Sequence, residues 1–440
     1  MATRYVRSTD GSNADNGTTW ALAKLDLAGV SAITVAGDVI YVSQVHAETT
    51  AGAITINWNG TVAAPVRILC GNDAAQPPTA GATTATVTTT GAGAGMTLGG
   101  SVPASFNVAG ITFNCGSGAN NMNLSAGSNG SSGHRQVYES CNFKMVASGA
   151  TCLIVIGGGI YINCGFQFAA AGQKFNAGAG GSNIRGGGII AGGTSPTFVF
   201  DFTSTKHVVE GFDFSACSAG VHLCDITGAS APAWAMFRNC KLPASWSGSL
   251  VQTPASMHPE ATAEMINCSA GAQNYKYWKQ TRFGSVRDET TIVHAGGASD
   301  GATTLTWKMV AASPVFPNSA LQSADIFQWN ATVGSPVTAT IEVVNDGATL
   351  KDDELWIEVE YLGSSAAPVS THTTDRRAII ATAANQTSSS ATWTTTGLAS
   401  PIKQKLDVTF TPQMAGFVVA RVMLAKASAT VYVDPKVTLT

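Results

Sequence analysis

The chain has 440 residues, of which only 12% are charged, and a formal net charge of −3; ordinary soluble domains carry about 25% charged residues. That balance offers no electrostatic footing for nucleic acid or an anionic membrane surface, and no apolar run is long enough to span a bilayer. The length allows two or three domains.

At the N-terminus, Tyr5-Val-Arg-Ser reads as a short strand and Asp10 to Gly17 as a turn-rich loop. Trp20, Leu22, Leu25 and Leu27 fall near helical spacing behind Thr18, so the segment predicts one amphipathic helix. Ala36-Gly-Asp-Val-Ile-Tyr-Val-Ser43 then opens the first long strand. Residues 1–50 are assigned as a cap, because a stack of strands must have its open end covered. Asp10, Ser12 and Asp15 lack the glycine and terminal glutamate of a calcium loop. No CxxC or Cys/His metal spacing occurs, so neither metal nor cofactor is expected. The first residues carry no apolar secretory segment, which implies synthesis in a reducing cytosol.

From 51 to about 285 a short phrase returns. It reads Gly-Ile-Thr-Phe-Asn-Cys at 110–115, Glu-Ser-Cys-Asn-Phe at 139–143 and Tyr-Ile-Asn-Cys-Gly-Phe at 161–166. Later copies are Gly-Phe-Asp-Phe-Ser-Ala-Cys at 211–217, Phe-Arg-Asn-Cys at 237–240 and Met-Ile-Asn-Cys at 265–268. Aligning Asn114, Ser140, Asn163, Ser215, Asn239 and Asn267 gives steps of 26, 23, 52, 24 and 28, with a degenerate copy inside the long step near Arg185 to Ala191. Such a period marks a solenoid. Each copy alternates apolar and polar residues, as strands do, and the glycine-rich spacers would starve a helix. The predicted fold is all-β: a right-handed parallel β-helix of about 25 residues per coil. A structural ladder is expected from Asn114, Cys115, Cys141, Asn163, Cys164, Asn239, Cys240, Asn267 and Cys268, with Asn amides bonded rung to rung and thiols packed as small hydrophobes. From Ala74 to His134 there is no charged residue. Part of so neutral a surface is expected to be covered by copies of the chain or by another partner, although Ser, Thr and Asn would also solvate it.

Acids are scarce on this barrel. The one gathering is Asp201, Glu210, Asp213 and Asp225, with His207 and His222 nearby. Polysaccharide cleavage needs two carboxylates about 5–10 Å apart, so these four are the catalytic candidates; the alternative is a solvated face without catalysis.

Residues 286–325 look like a hairpin and connector. From 326 to 440 the pattern changes: Val337–Val343, Leu355–Tyr361, Lys405–Thr411, Gly416–Leu424 and Thr430–Val433 alternate between turn signals, which predicts an antiparallel sandwich of jelly-roll or immunoglobulin-like kind. The polar loop from Thr371 to Asn385, with Asp375, Arg376 and Arg377, is the candidate for contact with a neighbour.

The order Asp10-Gly, Asn16-Gly, Trp20 and Ala36-Gly-Asp-Val-Ile-Tyr-Val resembles the opening segment of pectate-lyase-like parallel β-helix proteins. With Tyr5-Val-Arg-Ser-Thr-Asp-Gly before it and His46-Ala-Glu after, it is most similar to β-helix proteins of tailed bacteriophages, and Leu355-Trp-Ile-Glu-Val-Glu-Tyr is phage-like as well. The resemblance covers about the first 75 residues well and the rest through the repeat. It implies a virion-surface protein made in the host cytoplasm, homotrimeric, with the major capsid protein or other virion proteins as partners. The expected function is non-enzymatic: capsid decoration, cement or a head spike. The alternative is a tail spike that recognises or cleaves host-surface polysaccharide, with glycan as partner.

Overall fold

The computed structural model describes residues 1–99, 104–116, 121–124, 135–146, 149, 153–155, 158–177, 180–227, 231–295, 303–312, 322–331, 334–351, 354–363, 377–380, 386–389, 391–411, 416–435 and 437–440. The chain divides into two compact units, Met1–Lys276 and Tyr277–Thr440.

The first unit is a stack of coils built on three parallel sheets. The first sheet begins with Thr3–Val6, Val39–Ser43, Val66–Gly71 and Phe106–Ala109 and continues through Gln136–Glu139, Ile160–Ile162, Asn183–Arg185, Thr205–Glu210, Ala233–Arg238 and Thr262–Ala270. The second runs from Ile54–Ile56 to His222–Ile226, and the third from Ala47–Thr50 to Gly188–Ile189. Between Phe106 and Ile226 each coil passes from the first sheet through a tight corner into the third, and then by a longer loop into the second; the coil that opens with Val66–Gly71 reaches the third sheet only at Ala85–Thr89.

The corner dictates which residues recur. Gly110, Ser140, Asn163, Gly186, Gly211, Asn239 and Asn267 all have positive φ, from 51° to 76°. Only Gly, or a short polar side chain such as Asn, enters that left-handed region cheaply. The N–H of each of the first six then donates to a carbonyl of the following coil: Gly110 to Glu139 at 3.0 Å, Ser140 to Ile162 at 2.8 Å, Asn163 to Arg185 at 2.7 Å, Gly186 to Glu210 at 2.7 Å, Gly211 to Arg238 at 2.8 Å and Asn239 to Ile266 at 2.9 Å.

This corrects the expected ladder in two copies. The residue equivalent to Ser140 and Asn163 is Gly110, not Asn114, and it is Gly211, not Ser215. The long step therefore disappears, and Gly186 supplies the copy that had seemed degenerate. Asn114 sits within a strand instead, its amide donating to Thr88 Oγ1 at 3.1 Å, and Asn142 donates likewise to Thr112 at 3.2 Å. Amide bonding between rungs thus occurs on two rows of the third sheet, where it joins Asn to Thr.

Strand register makes Cys141 neighbour Cys164, and Cys240 neighbour Cys268, in one column with Gly187 and Phe212 between the pairs. Cys115 pairs with Met145 and lies outside that column. The four column thiols repeat one geometry, donating to the carbonyl two residues back and to one in the preceding coil; Cys164 bonds Ile162 O and Tyr138 O, both at 3.5 Å. Burial pushes the Cys141 thiol up to about 12, so it packs as uncharged corner filler.

Between the corners the interior is aromatic. Phe113, Phe143 and Phe166 stack rung on rung at 5.7 and 5.4 Å, and Tyr138 stacks on Tyr161 at 5.4 Å. The buried Tyr138 hydroxyl donates to Leu124 O at 2.9 Å. Each such ring contributes about 1.5–3 kcal/mol through burial.

The expected N-terminal helix is interrupted. A 3-10 turn at Trp20–Leu22, capped by Thr19, and a five-residue helix at Leu27–Ser31, capped by Asp26, replace it. The cause is Lys24, whose N–H donates to Tyr5 O and whose carbonyl accepts from Arg7 N, both at 2.9 Å, pulling this stretch into extended pairing. Leu27 and Val30 are fully buried, whereas Leu22 and Leu25 are exposed. Glu48 accepts the Leu27 N–H at 3.0 Å and so ties the short helix to the first coils.

The second unit contains two groups of antiparallel strands. Gly284–Ala295, Thr303–Ala311, Val337–Asp346, Pro401–Phe410 and Thr430–Val433 form one, and Gln322–Ala331, Gly416–Leu424, Leu355–Gly363 and Arg377–Ile380 the other. Ile341, Val343, Leu406 and Val433 from the first share one apolar cluster with Leu355, Ile357, Val422 and Leu424 from the second. Because Trp307–Val310 pair with Thr430–Val433, the segment expected as a hairpin and connector is part of this unit's own sheet.

The corner geometry sets a test. Asn239→Gly should leave stability within a few tenths of a kcal/mol, whereas Asn239→Val should lower it by about 1–2 kcal/mol, the cost of forcing a side chain branched at Cβ into the left-handed region. Urea melts of the two variants, judged by midpoint at unchanged slope, check this.

Candidate functional site

The four acidic candidates do not converge. Asp201 and Asp225 neighbour each other on the second sheet, Glu210 lies on the first, and Asp213 bridges onto the third. They therefore occupy three faces of the barrel.

Neighbouring strands stand about 4.8 Å apart, so Asp201 and Asp225 have backbone spacing suitable for a carboxylate pair. Both are nearly buried, however, and every oxygen is occupied. Asp201 accepts from the Thr227 hydroxyl at 2.8 Å and pairs with Lys174 Nζ at 2.7 Å. Asp225 accepts from the Thr253 hydroxyl at 2.8 Å, the Thr253 N–H at 3.2 Å and the Ile226 N–H at 3.1 Å. A carboxylate so engaged has no lone pair aimed at a substrate or at an attacking water. These contacts hold the loops following two coils against the sheet.

Asp213 does face solvent. Burial acts to raise its pKa, but the hydrogen bonds from Ser215 and the Lys241 ammonium at 3.3 Å outweigh that and hold it below the usual range. It is a base-poor carboxylate, with no second acid across a cleft among the described residues. Glu210 lies between Arg185 and Arg238 in register, with no ion pair to either.

The two histidines are structural. His207 is fully buried, stacked 4.3 Å from Phe202. Its Nε2 donates to Ser204 O at 2.6 Å, and Nδ1 accepts from Ser182 Oγ at 2.9 Å. Desolvation lowers its pKa to about 4, and the ring stays neutral. His222 Nδ1 lies 2.7 Å from Ser249 Oγ, and burial depresses its pKa too. Asp375 and Arg376 lie outside the described residues. Arg377 opens the strand Arg377–Ile380, opposite Glu360, so the expected polar loop contains a strand. No group of three metal-binding side chains occurs among the described residues.

The sequence reading missed a groove on the outer face of the first sheet. Its floor is Val137, Ile160 and Ile162, with Asn107 and Arg185 on the flanking strands, and its rim is Val62, Pro65, Ser105 and Arg135. It encloses about 310 Å³. Farther along the same face, past Asn183, stand Val208 and Met236, and Trp234 is 44% exposed. The signal was present in the strand alternation: outward positions that should be polar on a solvated sheet carry Val, Ile and Met.

No family model matches the chain, and no curated protein does. Among solved structures, it is similar to the enzymatically active domain of tailspike protein 4 from bacteriophage CBA120, at 10% identity and a TM-score of 0.21, covering 94% of this chain and 65% of that one. It is also similar to the GH136 lacto-N-biosidase of Eubacterium ramulus, at 12% identity and a TM-score of 0.19, covering 61% and 67%. The chain thus spans 65% of the tailspike domain's length. At these scores the neighbours' activities carry no argument for this protein, whose fold rests on its own strand pairing.

The neutral His207 yields a pH dependence. Its pKa is near 6.5 unfolded and about 4 folded. Unfolding therefore takes up a proton between those values, and stability present above pH 6.5 falls as pH drops toward 4, by up to about 3 kcal/mol. Denaturation midpoints at pH 7.5 and 4.5 should differ less in His207→Gln than in the parent by about that amount.

Proposed function

We propose that this protein is a non-catalytic spike of a tailed-phage particle, a stiff coiled rod joined to an antiparallel sandwich that works through the surfaces it presents. The observation carrying the absence of catalysis is the fate of the acids: the two that neighbour each other are buried with all four oxygens bonded, and the others face away on separate sheets. A rod serves such a role because its many parallel rungs hold side chains in fixed positions without a ligand.

Of the two placements considered from the sequence, decoration of the capsid and recognition of host-surface polysaccharide, the second has more support. A lattice cement calls for uncharged patches matched to neighbours, whereas the outer face of the first sheet combines a groove, several arginines and an exposed Trp234. Assembly as a homotrimer belongs to the same reading. Its support is the absence of charge in the sequence from Ala74 to His134, a composition compatible with contact between copies.

Three measurements test this. Imaging of intact particles with a label on the chain should locate it on a projecting spike. Incubation with host polysaccharide should release no reducing ends, and Asp201→Asn should lower stability by about 1–3 kcal/mol through its broken bonds to Lys174 and Thr227. Release of reducing ends that Asp201→Asn or Asp225→Asn abolishes at unchanged fold would make the protein a glycosidase instead.

A further inference from the structure

Nothing in the proposed role draws on the thiols of the corner column, and two of them differ from the rest. Cys240 and Cys268 follow the turning Asn239 and Asn267 and stand opposite each other on neighbouring coils, since Lys241 pairs with Ser269 in parallel register. Neighbouring strands lie about 4.8 Å apart, inside the Cα separation of about 4.4–6.8 Å that disulfides span. The Cys240 N–H donates to Cys268 Sγ at 3.3 Å, which brings that sulfur back over the preceding coil. The two thiols are also hydrogen-bonded to each other. Both residues are 1% exposed, so water does not compete for either sulfur.

Cys141 and Cys164 provide an internal comparison. They too are neighbours in register, but no hydrogen bond joins thiol to thiol in that pair, burial raises both groups, and coils enclose them on either side. Cys268 behaves differently. The hydrogen bond from the Cys240 thiol outweighs burial and holds Cys268 below the usual thiol range, while the same bond pushes Cys240 up. Among the described residues its strand, Thr262–Ala270, is the last to join the parallel stack, so opening of a single coil uncovers the pair.

We propose that Cys240 and Cys268 form a redox-responsive pair that closes to a disulfide between the last two coils when a hydroperoxide reaches them. The Cys268 thiol gives up its proton as its sulfur attacks one peroxide oxygen; the O–O bond breaks, and the departing hydroxide takes a proton and leaves as water. The Cys240 sulfur then attacks the resulting sulfenic acid. The S–S bond forms, the S–O bond breaks, and the second water carries off the Cys240 proton. Two thiols and one hydrogen peroxide thus give one disulfide and two waters, the sulfurs losing the two electrons that the peroxide gains. Hydrogen peroxide suits a buried corner because it is close to water in size. The new bond spans 28 residues of chain and ties the last coil to the one before it, which restricts the unfolded state.

Treatment of the reduced full chain with hydrogen peroxide under native conditions, followed by peptide mapping, tests this. The chain should lose the mass of two hydrogens, and the free thiols counted after denaturation should fall by two from the nine of the sequence. Trypsin should release the tripeptide Asn239–Lys241 joined to the peptide Leu242–Lys276, and dithiothreitol should part them. The oxidised chain should unfold at a higher urea midpoint than the reduced one. Cys240→Ser should give no cross-link and a Cys268 sulfenic acid that dimedone traps, whereas Cys141→Ser should keep the cross-link. A thiol count that stays at nine, oxidation that joins Cys141 to Cys164, or oxidation scattered over several cysteines would overturn the proposal. So would a cross-link that leaves the urea midpoint unmoved.

Discussion

One constraint shapes the first unit from Gly110 onward: the chain turns a corner in the left-handed region once per coil, and as far as Asn239 the N–H at that corner reaches the next coil. Everything that repeats follows from it. Gly, Asn and Ser recur because few other residues tolerate the backbone there. A cysteine recurs after the turn because the space inside the corner is small and its walls are carbonyls, which a thiol can fill and weakly bond. Where Gly187 or Phe212 takes that place in the column, neighbouring aromatics such as Phe166 and Phe214, within 6.0 and 4.7 Å of Phe212, close the interior.

The same economy governs the few charges. Lys174, Asp201, Thr227, Asp225 and Thr253 form a polar seam linking successive coils on the second sheet, in which two buried carboxylates serve as acceptors for hydroxyls and backbone at its surface. A carboxylate used in this way stabilises a loop and is lost to chemistry. Arg67, Arg135 and Arg185 stand instead on the outer side of the first sheet, with no ion pair among the described residues.

Much of the fold could be read from the residues. The period of Asn-Cys phrases pointed to stacked coils, and alternation of period 2 pointed to strands, because both signals come from local backbone and burial. The register was harder. Asn114-Cys115 repeats the wording of Asn163-Cys164 but sits four residues past the corner, and only backbone φ distinguishes a turning Asn from one in a strand. The helix was misjudged because Lys24 pairs with Tyr5 and Arg7, a contact that no helical spacing reveals. The acid cluster failed for a related reason: nearness in sequence says little when consecutive strands belong to different faces. The groove carries no signal in residue type alone, because Val137, Ile160 and Ile162 are apolar like the interior yet stand on the outward side.

The corner bonds all run in one direction, each from a coil to its successor, and each joint is chemically the same as the last. A molecule made of such joints has a length that changes only in whole coils, about 4.8 Å at a time. Gain or loss of a 23-residue segment, such as the interval from Asn163 to Gly186, would move the tip while leaving every remaining joint as it was. Reach is thus a counted quantity in this architecture, adjustable by duplication or deletion without redesign of the interior.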